Sequence, residues 1–385
     1  MIFRILEDQL AQKAQKEKES KEADRRFMQL ALALGRRGQG RTWPNPAVGA
    51  VIVKDGVIVG RGWTQAGGRP HAEPEALRRA GEAARGATLY VTLEPCSHFG
   101  KSPPCADAVI AAGIKRVVAA IEDPNPQVAG QGHARLRAAG IAVDVGLCVA
   151  EAAYDHAGHF RRVRDRRPHV ILKLAVSPDD KIGAAGSKPV AITGEAARNR
   201  VHLLRARSDA ILVGIGTVLA DDPLLTCRLP GMEARSPVRI VMDRNLRIPA
   251  SSQLVHSARE TPLWVIGSEL ADPVAATRLG AAGAQVMRMP AGSRPRLDLP
   301  ALLHALAEKG ITRLMVEGGS HVASSFVAAD LVDEIWLFRG TEAIGAGGVD
   351  ALDALPLSKI TQSPAFKVHA SETFDGDTLT IYERA

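Results

Sequence analysis

A histidine, a glutamate and two cysteines in the first half of the chain have the types and spacing of a catalytic zinc site. His71 and Glu73 are separated by one residue, and Cys96 and Cys105 follow further along the chain. One imidazole and two thiolates make three ligands, and a zinc ion with three protein ligands keeps its fourth position open for water. Such a zinc ion lowers the pKa of that water from about 15.7 towards 7. The residues therefore predict a metal-dependent hydrolase.

Glu73 is predicted to move the protons of this reaction. Attack of hydroxide on an amidine-like ring carbon must be followed by protonation of the leaving ammonia, and one carboxyl group can relay both protons. Side chains two residues apart on a regular helix point to nearly opposite sides, so His71 and Glu73 can share a metal only where a helix begins. Pro70 indicates such a start. Cys96 and Cys105 also each follow a proline, which predicts that both thiolates lie at helix starts.

Other roles for these residues are open at this point. A buried cysteine is often a small apolar residue, and we assign Cys148, in an apolar strand expected over 143–149, and Cys227 to such structural roles. A histidine often makes only structural hydrogen bonds. The zinc ion could serve only to stabilise the fold of a binding module. Alternatively, the site could belong to a nucleic-acid deaminase whose basic surface binds a phosphate backbone.

Two segments around these residues resemble a known family. His71-Ala72-Glu73 followed by Pro95-Cys96 is similar to the cytidine deaminase superfamily, but eight residues separate Cys96 from Cys105 where two are usual. This longer insert, together with the segment 45–49, resembles the deaminase domain of the bifunctional deaminase/reductase family of riboflavin biosynthesis. The resemblance implies a zinc ion on His71, Cys96 and Cys105, Glu73 as proton shuttle, Asn45 bonded to the pyrimidine, and His98 and Lys101 facing the ribose phosphate.

A second candidate site lies in the other half, which contains no complete dinucleotide fingerprint. The segment 214–219 lacks the third glycine of the G-x-G-x-x-G pattern, so a Rossmann site is not supported. The segment 314–320 instead predicts a strand, a turn at Gly318-Gly319 and a helix start, where free backbone N–H groups can hold a phosphate. A plain strand-to-helix turn fits nearly as well, and the residues alone leave the two open.

The family resemblance extends over this half, because the reductase domain of that family, similar in fold to dihydrofolate reductase, has matching segments at 173–179, 204–206, 216–226 and 316–319. It implies that NADP(H) contacts Ala175, Thr217, Asp221, Gly319, Ser320, His321, Val322, Ala323, Ser324 and Ser325. It implies that the phosphorylated ribosylamino-pyrimidine contacts Arg205, Leu225, Arg228 and Glu317. The two arginines suit this role, since a guanidinium group can bind phosphate oxygens in pairs.

Two residues depart from the family pattern. Asp180 stands where a glycine usually completes the Ser-x-Asp-Gly segment, and Ala191 stands where a tryptophan usually precedes Ile-Thr and borders the nicotinamide. The second departure leaves open what forms that wall of the pocket. A charged extension at residues 1–22 also lies before the family's usual start.

The elements that must position these residues alternate between helix and strand. In the first half we expect a hairpin turning at Asp55-Gly56, helices over 72–80 and 105–112, and strands over 87–93 and 116–121. In the second half we expect strands near 170–175, 210–213, 238–242, 263–266, 313–316 and 334–338, with helices over 194–205 and 299–308. The alternation predicts an α/β fold class, which the resemblance specifies as a cytidine-deaminase-like αβα domain followed by a dihydrofolate-reductase-like α/β domain.

The predicted organisation is a charged helical extension (1–22), a deaminase domain (23–160), an Arg-rich linker (161–168) and a reductase domain (169–385). Residues 23–167 hold 21 Lys and Arg against 13 Asp and Glu, whereas residues 168–385 hold 23 against 24. The positive first half suits an anionic ligand. Four cysteines are too few for a disulfide scaffold and favour a reducing cytoplasm. The apolar stretches are much shorter than the roughly 18 residues of a membrane span.

The sequence and the resemblance together predict two fused enzymes that use zinc and NADPH. The first would deaminate 2,5-diamino-6-ribosylamino-4(3H)-pyrimidinone 5′-phosphate, and the second would reduce the ribosyl to the ribityl chain, giving 5-amino-6-(5-phosphoribitylamino)uracil. The expected partner is this phosphorylated pyrimidine nucleotide, without nucleic acid or membrane, and a homo-oligomer is left open. Without the resemblance, the residues predict only a zinc amine hydrolase joined to an α/β domain with anion-binding turns.

Overall fold

The computed structural model describes residues 2–100, 102–126, 128–184, 191–290, 297–353 and 355–385. Contacts between Cα atoms divide the chain into two units, Met1–Asp165 and Arg166–Ala385. None of the helices in these described ranges is both long and apolar enough to cross a membrane.

The first unit is built on a five-stranded sheet with the strand order β2-β1-β3-β4-β5. The β1/β2 and β1/β3 pairs are antiparallel, and the β3/β4 and β4/β5 pairs are parallel. In chain order the elements are α1 (Ile2–Gly35), β1 (Gly49–Lys54), β2 (Val57–Trp63), α2 (Ala72–Ala80), β3 (Thr88–Val91), α3 (Cys105–Ala111), β4 (Arg116–Ala119), α4 (Gln131–Ala138), β5 (Ala142–Val145), α5 (Val149–Asp155) and α6 (Ala157–Asp165).

Both faces of this sheet are buried, because alternate residues of β1 enter two different hydrophobic clusters. Ala50 and Ile52 pack with residues of α2, α3 and α4, whereas Val51 and Val53 pack with residues of α1 and α5. Helix α1 approaches β1 closely, and a Cβ on Gly49 would lie only 1.8 Å from the carbonyl oxygen of Ala31. The sheet is therefore the rigid layer from which the loops that carry the candidate zinc ligands emerge.

Most of the expected elements of this unit are confirmed, including the β1/β2 hairpin, whose turn at Asp55-Gly56 has positive φ at both residues. Three expectations need correction. The extension at 1–22 is continuous with the first apolar helix, since α1 is one helix of 34 residues. The Arg-rich segment 161–168 begins as the end of α6 rather than as an open linker. The strand expected over 143–149 ends at Val145, and Cys148 precedes α5 with φ 60°.

The second unit contains a nine-stranded sheet with the order β11-β10-β9-β8-β12-β6-β13-β16-β15 and a separate β14/β7 pair. The elements are β6 (His169–Val176), β7 (Lys181–Ala184), α7 (Glu195–Arg207), β8 (Ala210–Gly214), α8 (Ile215–Asp221), β9 (Val238–Met242), α9 (Gln253–His256), β10 (Leu263–Ser268), α10 (Pro273–Ala281), β11 (Gln285–Met289), α11 (Leu299–Glu308), β12 (Arg313–Val316), α12 (Ser320–Ala328), β13 (Glu334–Arg339), β14 (Gly348–Asp350), α13 (Ser358–Thr361), β15 (Phe366–Phe374) and β16 (Asp377–Arg384).

In this order, the seven strands from β11 through β10, β9, β8, β12 and β6 to β13 are parallel. Strands β16 and β15 add an antiparallel edge. The six strands and two helices expected here are confirmed, with ends shifted by at most two residues. The β15/β16 hairpin was not predicted; it turns at Asp375-Gly376, where both residues have positive φ. In a parallel sheet, ligands bind beyond the carboxyl ends of the strands. For β8, β12 and β6, which are neighbours, that edge carries Gly214, Glu317 and Ala175.

Candidate active sites

His71, Cys96 and Cys105 meet at one point in the first unit, although they come from three places in the chain. His71 is the N-cap residue of α2, with an extended backbone, and Cys105 is the first residue of α3. Cys96 lies in the loop after β3, and its carbonyl oxygen accepts the N–H of Ala106 (3.1 Å), which ties this loop to the start of α3. The predicted helix start is confirmed for His71 and Cys105 and is wrong for Cys96.

The distances within this group fit a zinc ion. His71 Nδ1 lies 3.2 Å from Cys105 Sγ and 3.8 Å from Cys96 Sγ, and the three candidate ligand atoms all lie within 4.8 Å of one another. Ligand atoms on a tetrahedral zinc ion, with bonds of about 2.0–2.3 Å, lie roughly 3.5–3.8 Å apart. In the described part of the chain no further His, Cys, Asp or Glu completes this group to four.

The pKa values of the two cysteine side chains are shifted in opposite directions. A hydrogen bond from the Cys105 thiol, partly opposed by burial, and further bonds from His71 and the Cys105 backbone N–H (3.3 Å) lower the pKa of Cys96 to about 4. The pKa of Cys105 is raised, because its thiol donates to Cys96 and is buried. A bound divalent cation would stabilise both cysteines as thiolates, because it also displaces the proton of the Cys105 thiol.

Glu73 lies beside this group as the second residue of α2. Its side chain is buried, with the residue 3% exposed, and Oε2 has no hydrogen-bond partner among the described residues. Burial, partly offset by the positive charge of His71, raises the pKa of Glu73 to about 7. A carboxyl group of that pKa with a free oxygen can both accept and release a proton near neutral pH.

The other predicted substrate contacts of this unit lie on two loops. Asn45 Nδ2 donates to the carbonyl oxygen of Gly68 (2.7 Å), which ties the Asn45 loop to the turn before His71. This contact requires a glycine at 68, because a Cβ there would lie 2.6 Å from Asn45 Nδ2. His98 is exposed on the insert between the two cysteines, and Lys101 lies outside the described residues.

Glu94 supports the Cys96 loop, although sequence reasoning gave it no role. Its carboxylate accepts four backbone N–H groups at 2.8–3.3 Å, from Asp123, Gly130, Gly132 and His133. The last two belong to the first turn of α4, so Glu94 fixes the end of β3 against that helix two residues before Cys96. The signal available in the sequence was a carboxylate at the end of an apolar strand, directly before Pro95-Cys96.

The second candidate site lies where β8 and β12 end and α8 and α12 begin. The N–H of Gly319 donates to Thr217 Oγ1 (3.2 Å), which brings together two residues predicted to contact NADP(H). A Cβ on Gly214 would lie 2.8 Å from Val322 Cγ2, so the first turn of α12 packs here only because residue 214 has no side chain. Free N–H groups at such a helix start favour a phosphate.

The remaining predicted cofactor contacts are distributed around these turns. Ala175 is half-buried near the end of β6, and Asp221 is exposed at the end of α8. Within α12, Ala323 and Ser324 are buried, and Ser324 Oγ donates to the carbonyl oxygen of Asp353 (2.8 Å). The more accessible residues of its first turns are Ser320, His321, Val322 and Ser325.

A network of charged side chains lies at the same strand ends. Glu317 Oε2 accepts from Arg205 Nε (3.1 Å) and Nη2 (2.9 Å), and Glu317 Oε1 accepts from Lys173 Nζ (3.1 Å). Burial alone would raise the pKa of Glu317, but the charges of Arg205 and Lys173 lower it to about 2. Arg205 also donates to the carbonyl oxygen of Thr226 (3.0 Å), so its guanidinium group is largely committed to protein partners. Sequence reasoning quoted Lys173 within a matching segment without giving it a function.

Two predicted substrate contacts next to this network differ in what they can offer. Arg228 is exposed, and its backbone N–H donates to His202 Nδ1 (3.3 Å). Burial and the charges of Arg205 and Arg228 lower the pKa of His202 to about 4, so this histidine is neutral. Leu225 is 3% exposed within the core of the unit, with φ 56°, so only its backbone is available to a substrate.

Comparisons with known proteins identify the family. The family model described as the RibD C-terminal domain matches residues 168–380, and that of the cytidine and deoxycytidylate deaminase zinc-binding region matches residues 21–121. The riboflavin biosynthesis protein RibD of Aquifex aeolicus is 40% identical over 364 residues, covering 94% of this chain and 99% of that protein. Its Escherichia coli counterpart is 42% identical over 355 residues, covering 89% and 95%. The chain belongs to the RibD family.

Solved RibD structures agree with this assignment. RibD of Acinetobacter baumannii has a TM-score of 0.83 at 35% identity, covering 95% of this chain and 99% of that chain. A diaminohydroxyphosphoribosylaminopyrimidine deaminase/5-amino-6-(5-phosphoribosylamino)uracil reductase of Thermotoga maritima has a TM-score of 0.82 at 36% identity, covering 95% and 100%. The predicted family and the predicted fold class, a cytidine-deaminase-like domain followed by a dihydrofolate-reductase-like domain, are confirmed.

As a RibD protein, the chain is a bifunctional enzyme of riboflavin biosynthesis, a deaminase and a reductase that acts on a phosphorylated pyrimidine. Its cofactors are zinc and NADPH, as predicted. The three-ligand group in the first unit fits zinc by its donor set and its distances. The start of α12 fits a dinucleotide phosphate, because the first N–H groups of a helix have no partner within the helix.

The structure accounts for one of the two departures from the RibD pattern, Asp180, but not for the other, Ala191. Asp180 has φ 61°, in the left-handed region that explains why a glycine is usual there. Aspartate tolerates this conformation better than most residues, and Asp180 Oδ1 lies 2.8 Å from Arg339 Nη1. Ala191 is exposed and follows residues outside the described ranges, and nothing in the structure explains this substitution.

Proposed function

We propose that the first unit deaminates 2,5-diamino-6-ribosylamino-4(3H)-pyrimidinone 5′-phosphate and that the second unit reduces the ribosyl chain of the product to ribityl. The observation that carries the deaminase assignment is the convergence of His71, Cys96 and Cys105 beside the buried, unpartnered carboxyl oxygen of Glu73. The family and the deaminase/reductase activity of the Thermotoga maritima protein support this choice of substrate. Four free cysteines favour a cytoplasmic location.

In the proposed deamination, His71, Cys96 and Cys105 hold the zinc ion. When bound, zinc supplies Lewis acidity and makes water acidic enough to ionise near neutral pH. Glu73 accepts a proton from the attacking water and delivers it to the departing nitrogen. A C–O bond forms at the ring carbon, the C–N bond breaks, and ammonia leaves. Asn45 orients the pyrimidine, and His98 and Lys101 bind the ribose phosphate.

In the proposed reduction, the first turn of α12 and Thr217 hold the dinucleotide through backbone N–H groups and a hydroxyl. When bound, NADPH supplies the hydride. Ala175, Asp221 and the residues 319–325 form the cofactor contacts, and Arg205, Leu225, Arg228 and Glu317 form the substrate contacts. Arg205 also orients the carboxylate of Glu317, to which it is hydrogen-bonded. The exposed Arg228 is then the main guanidinium group for the phosphate.

Lys173 is proposed to hold the proton that accompanies the hydride. Its ammonium group donates to Glu317 Oε1 at the carboxyl edge of the sheet, on the same face of β6 as Ala175. The lowered pKa of Glu317 keeps that carboxylate ionised beside the Lys173 side chain. Hydride transfer forms a C–H bond at C1′ of the sugar, the ring bond between C1′ and O4′ breaks, and the proton of Lys173 goes to O4′.

Assays with the purified protein and the diamino pyrimidine nucleotide test this function. Ammonia should appear without NADPH, and NADPH absorbance should fall only after deamination has begun. NADPH oxidation in a preparation that releases no ammonia would contradict the proposed order, and failure to release ammonia from zinc-loaded protein would contradict the deaminase assignment. A zinc-stabilised binding module predicts no ammonia at all.

A further inference from the structure

We propose that Arg69 is a further substrate-binding residue of the deaminase site, where its guanidinium group and His98 bind the 5′-phosphate of the nucleotide. The inference rests on the proposed deamination and adds a residue to it. Arg69 stands two residues before His71, at the start of the segment that leads into α2. Its side chain therefore begins next to a zinc ligand.

The guanidinium group of Arg69 reaches across to the insert between the two cysteines. Arg69 Nη1 donates to Ser102 Oγ, three residues before Cys105. The insert is fixed at its far end, where the Cys105 N–H donates to Cys96 Sγ. Arg69 thus links the loop before α2 to the insert that closes the candidate zinc site.

Arg69 and His98 face a common point beside Gly100. A Cβ built on Gly100 would lie 3.4 Å from Arg69 Nη2 and 3.9 Å from His98 Nε2, so both nitrogen atoms border the same point above this glycine. A phosphate oxygen placed there would be within hydrogen-bonding reach of both after small side-chain adjustments. Gly100 does not have positive φ, so its backbone conformation does not require glycine. The absence of a side chain instead leaves the point between the two nitrogen atoms unfilled.

The charge of Arg69 also favours an anionic ligand. No carboxylate among the described residues pairs with Arg69, whereas Arg78 and Arg79, at the other end of α2, both pair with Glu75 (3.0 and 3.5 Å). A guanidinium group presents its donors in a planar fork that matches phosphate oxygens. Arg69 therefore places a positive charge, unpaired among the described residues, at this end of the site, near the exposed His98.

Steady-state deamination by Arg69→Ala tests the proposal, with Arg78→Ala as the matched control on α2. We expect the KM for the phosphorylated nucleotide to rise about tenfold or more, with kcat changed by less than about twofold, because a charge-assisted contact to the non-reacting phosphate is lost. Inhibition by inorganic phosphate should weaken to a similar extent. Arg69→Lys should lie between, since it keeps the charge and loses the fork.

Gly100→Ala provides a second measurement without changing any charge. Its methyl group would occupy the space between the two nitrogen atoms, so KM and the inhibition constant for phosphate should again rise while zinc content stays constant. If Arg69→Ala lowers kcat and loses zinc, Arg69 only supports the loop and the proposal fails. It also fails if KM and the inhibition constant for phosphate are unchanged in both Arg69→Ala and Gly100→Ala. A wild-type protein that releases no ammonia would instead overturn the proposed function itself.

Discussion

The two sites of this RibD protein are built from different parts of the polypeptide. In the candidate deaminase site, side chains from three separate segments converge, and each of His71, Cys96 and Cys105 offers one ligand atom. In the reductase site, the carboxyl ends of neighbouring strands provide backbone N–H groups and glycine turns, and the charged side chains there pair with one another. One site depends on residue identity and the other largely on backbone geometry.

This difference determines how each site should respond to substitution. A zinc site with three ligands and one proton carrier has no spare group, so a change of one atom can abolish its chemistry. A cofactor held by several backbone groups loses only part of its binding when one side chain is removed. The same contrast separates what the sequence reveals, because the types and spacing of ligands are visible in a sequence, whereas the strand order that brings turns together is not.

The largest effect is expected for Glu73→Gln. The amide keeps the size of the side chain but cannot carry the proton from water to the leaving nitrogen, so deamination should fall by about 10³-fold or more. The zinc content should stay at the wild-type level, because Glu73 is not among the ligand atoms. Ammonia release and metal analysis on the same preparation check both parts.

Reductase activity of the Glu73→Gln variant, assayed with the already deaminated nucleotide, serves as its control. We expect NADPH oxidation at the wild-type rate, since the substitution lies in the first unit. Retained deamination would show that Glu73 does not move the protons, and loss of zinc would show that its part is structural.

Lys173→Met should have the next largest effect, and on the other activity. Removal of the ammonium group takes away the proposed proton source and leaves Glu317 with Arg205 as its charged partner, so reduction should slow by about 100-fold. Deamination should be unchanged. The rate of NADPH oxidation with the deaminated substrate measures the effect. Lys359→Met, at an exposed position, is the matched control. A wild-type rate in Lys173→Met would remove Lys173 from the reaction.

The deaminase ligands were predictable because each requires a particular residue type at a particular spacing. His71, Glu73, Cys96 and Cys105 could be assigned before the structure, and so could the helix start that lets His71 and Glu73 share a side. The contact of Glu94 with four N–H groups could not, because those donors lie 29 to 39 residues further along and are brought near only by the fold. The sequence indicates the candidate reacting groups but gives no sign of the residue that supports their loop.

In the reductase half the strands and the turn after β12 were predictable from apolar runs and glycines. The pairing of Lys173 and Arg205 with Glu317 was not, since it depends on which strands become neighbours in the sheet, and strand order is not encoded in local pattern. The resemblance named Arg205 as a phosphate contact, but its hydrogen bonds show a guanidinium group already held by a carboxylate.

Glu94→Gln tests whether this hidden support matters to the metal. Each carboxylate oxygen of Glu94 accepts two backbone N–H groups, and the substitution replaces one oxygen by an NH2 group, which cannot accept. Two of the four N–H groups therefore lose their partner, and the Cys96 loop should become less ordered. We expect zinc affinity to fall by about tenfold, the lower end of the usual effect of groups that support metal ligands. Competition with a chelator measures it.

Glu122→Gln is the control for this variant, because Glu122 is an exposed carboxylate near the same loop and accepts none of these bonds. Its zinc affinity should equal that of the wild type. A Glu94→Gln protein with lowered thermal stability but unchanged zinc affinity would show that Glu94 supports the fold and not the ligand.

The smallest effect is expected at Asp180, where the reductase unit tolerates a departure from its family because the requirement is on the backbone. Asp180→Ala should lower the free energy of unfolding by about 1 kcal/mol, since alanine at φ 61° costs more than aspartate and the contact with Arg339 is lost. Asp180→Gly relieves the strain but gives the unfolded chain more freedom and loses the same contact, so its net effect should stay within about 0.5 kcal/mol. Denaturant unfolding followed in the second unit distinguishes them. Equal destabilisation by both variants would mean that the Arg339 contact, rather than the left-handed backbone, decides the residue at this position, and the contrast between a site set by side chains and one set by backbone would then fail at this turn.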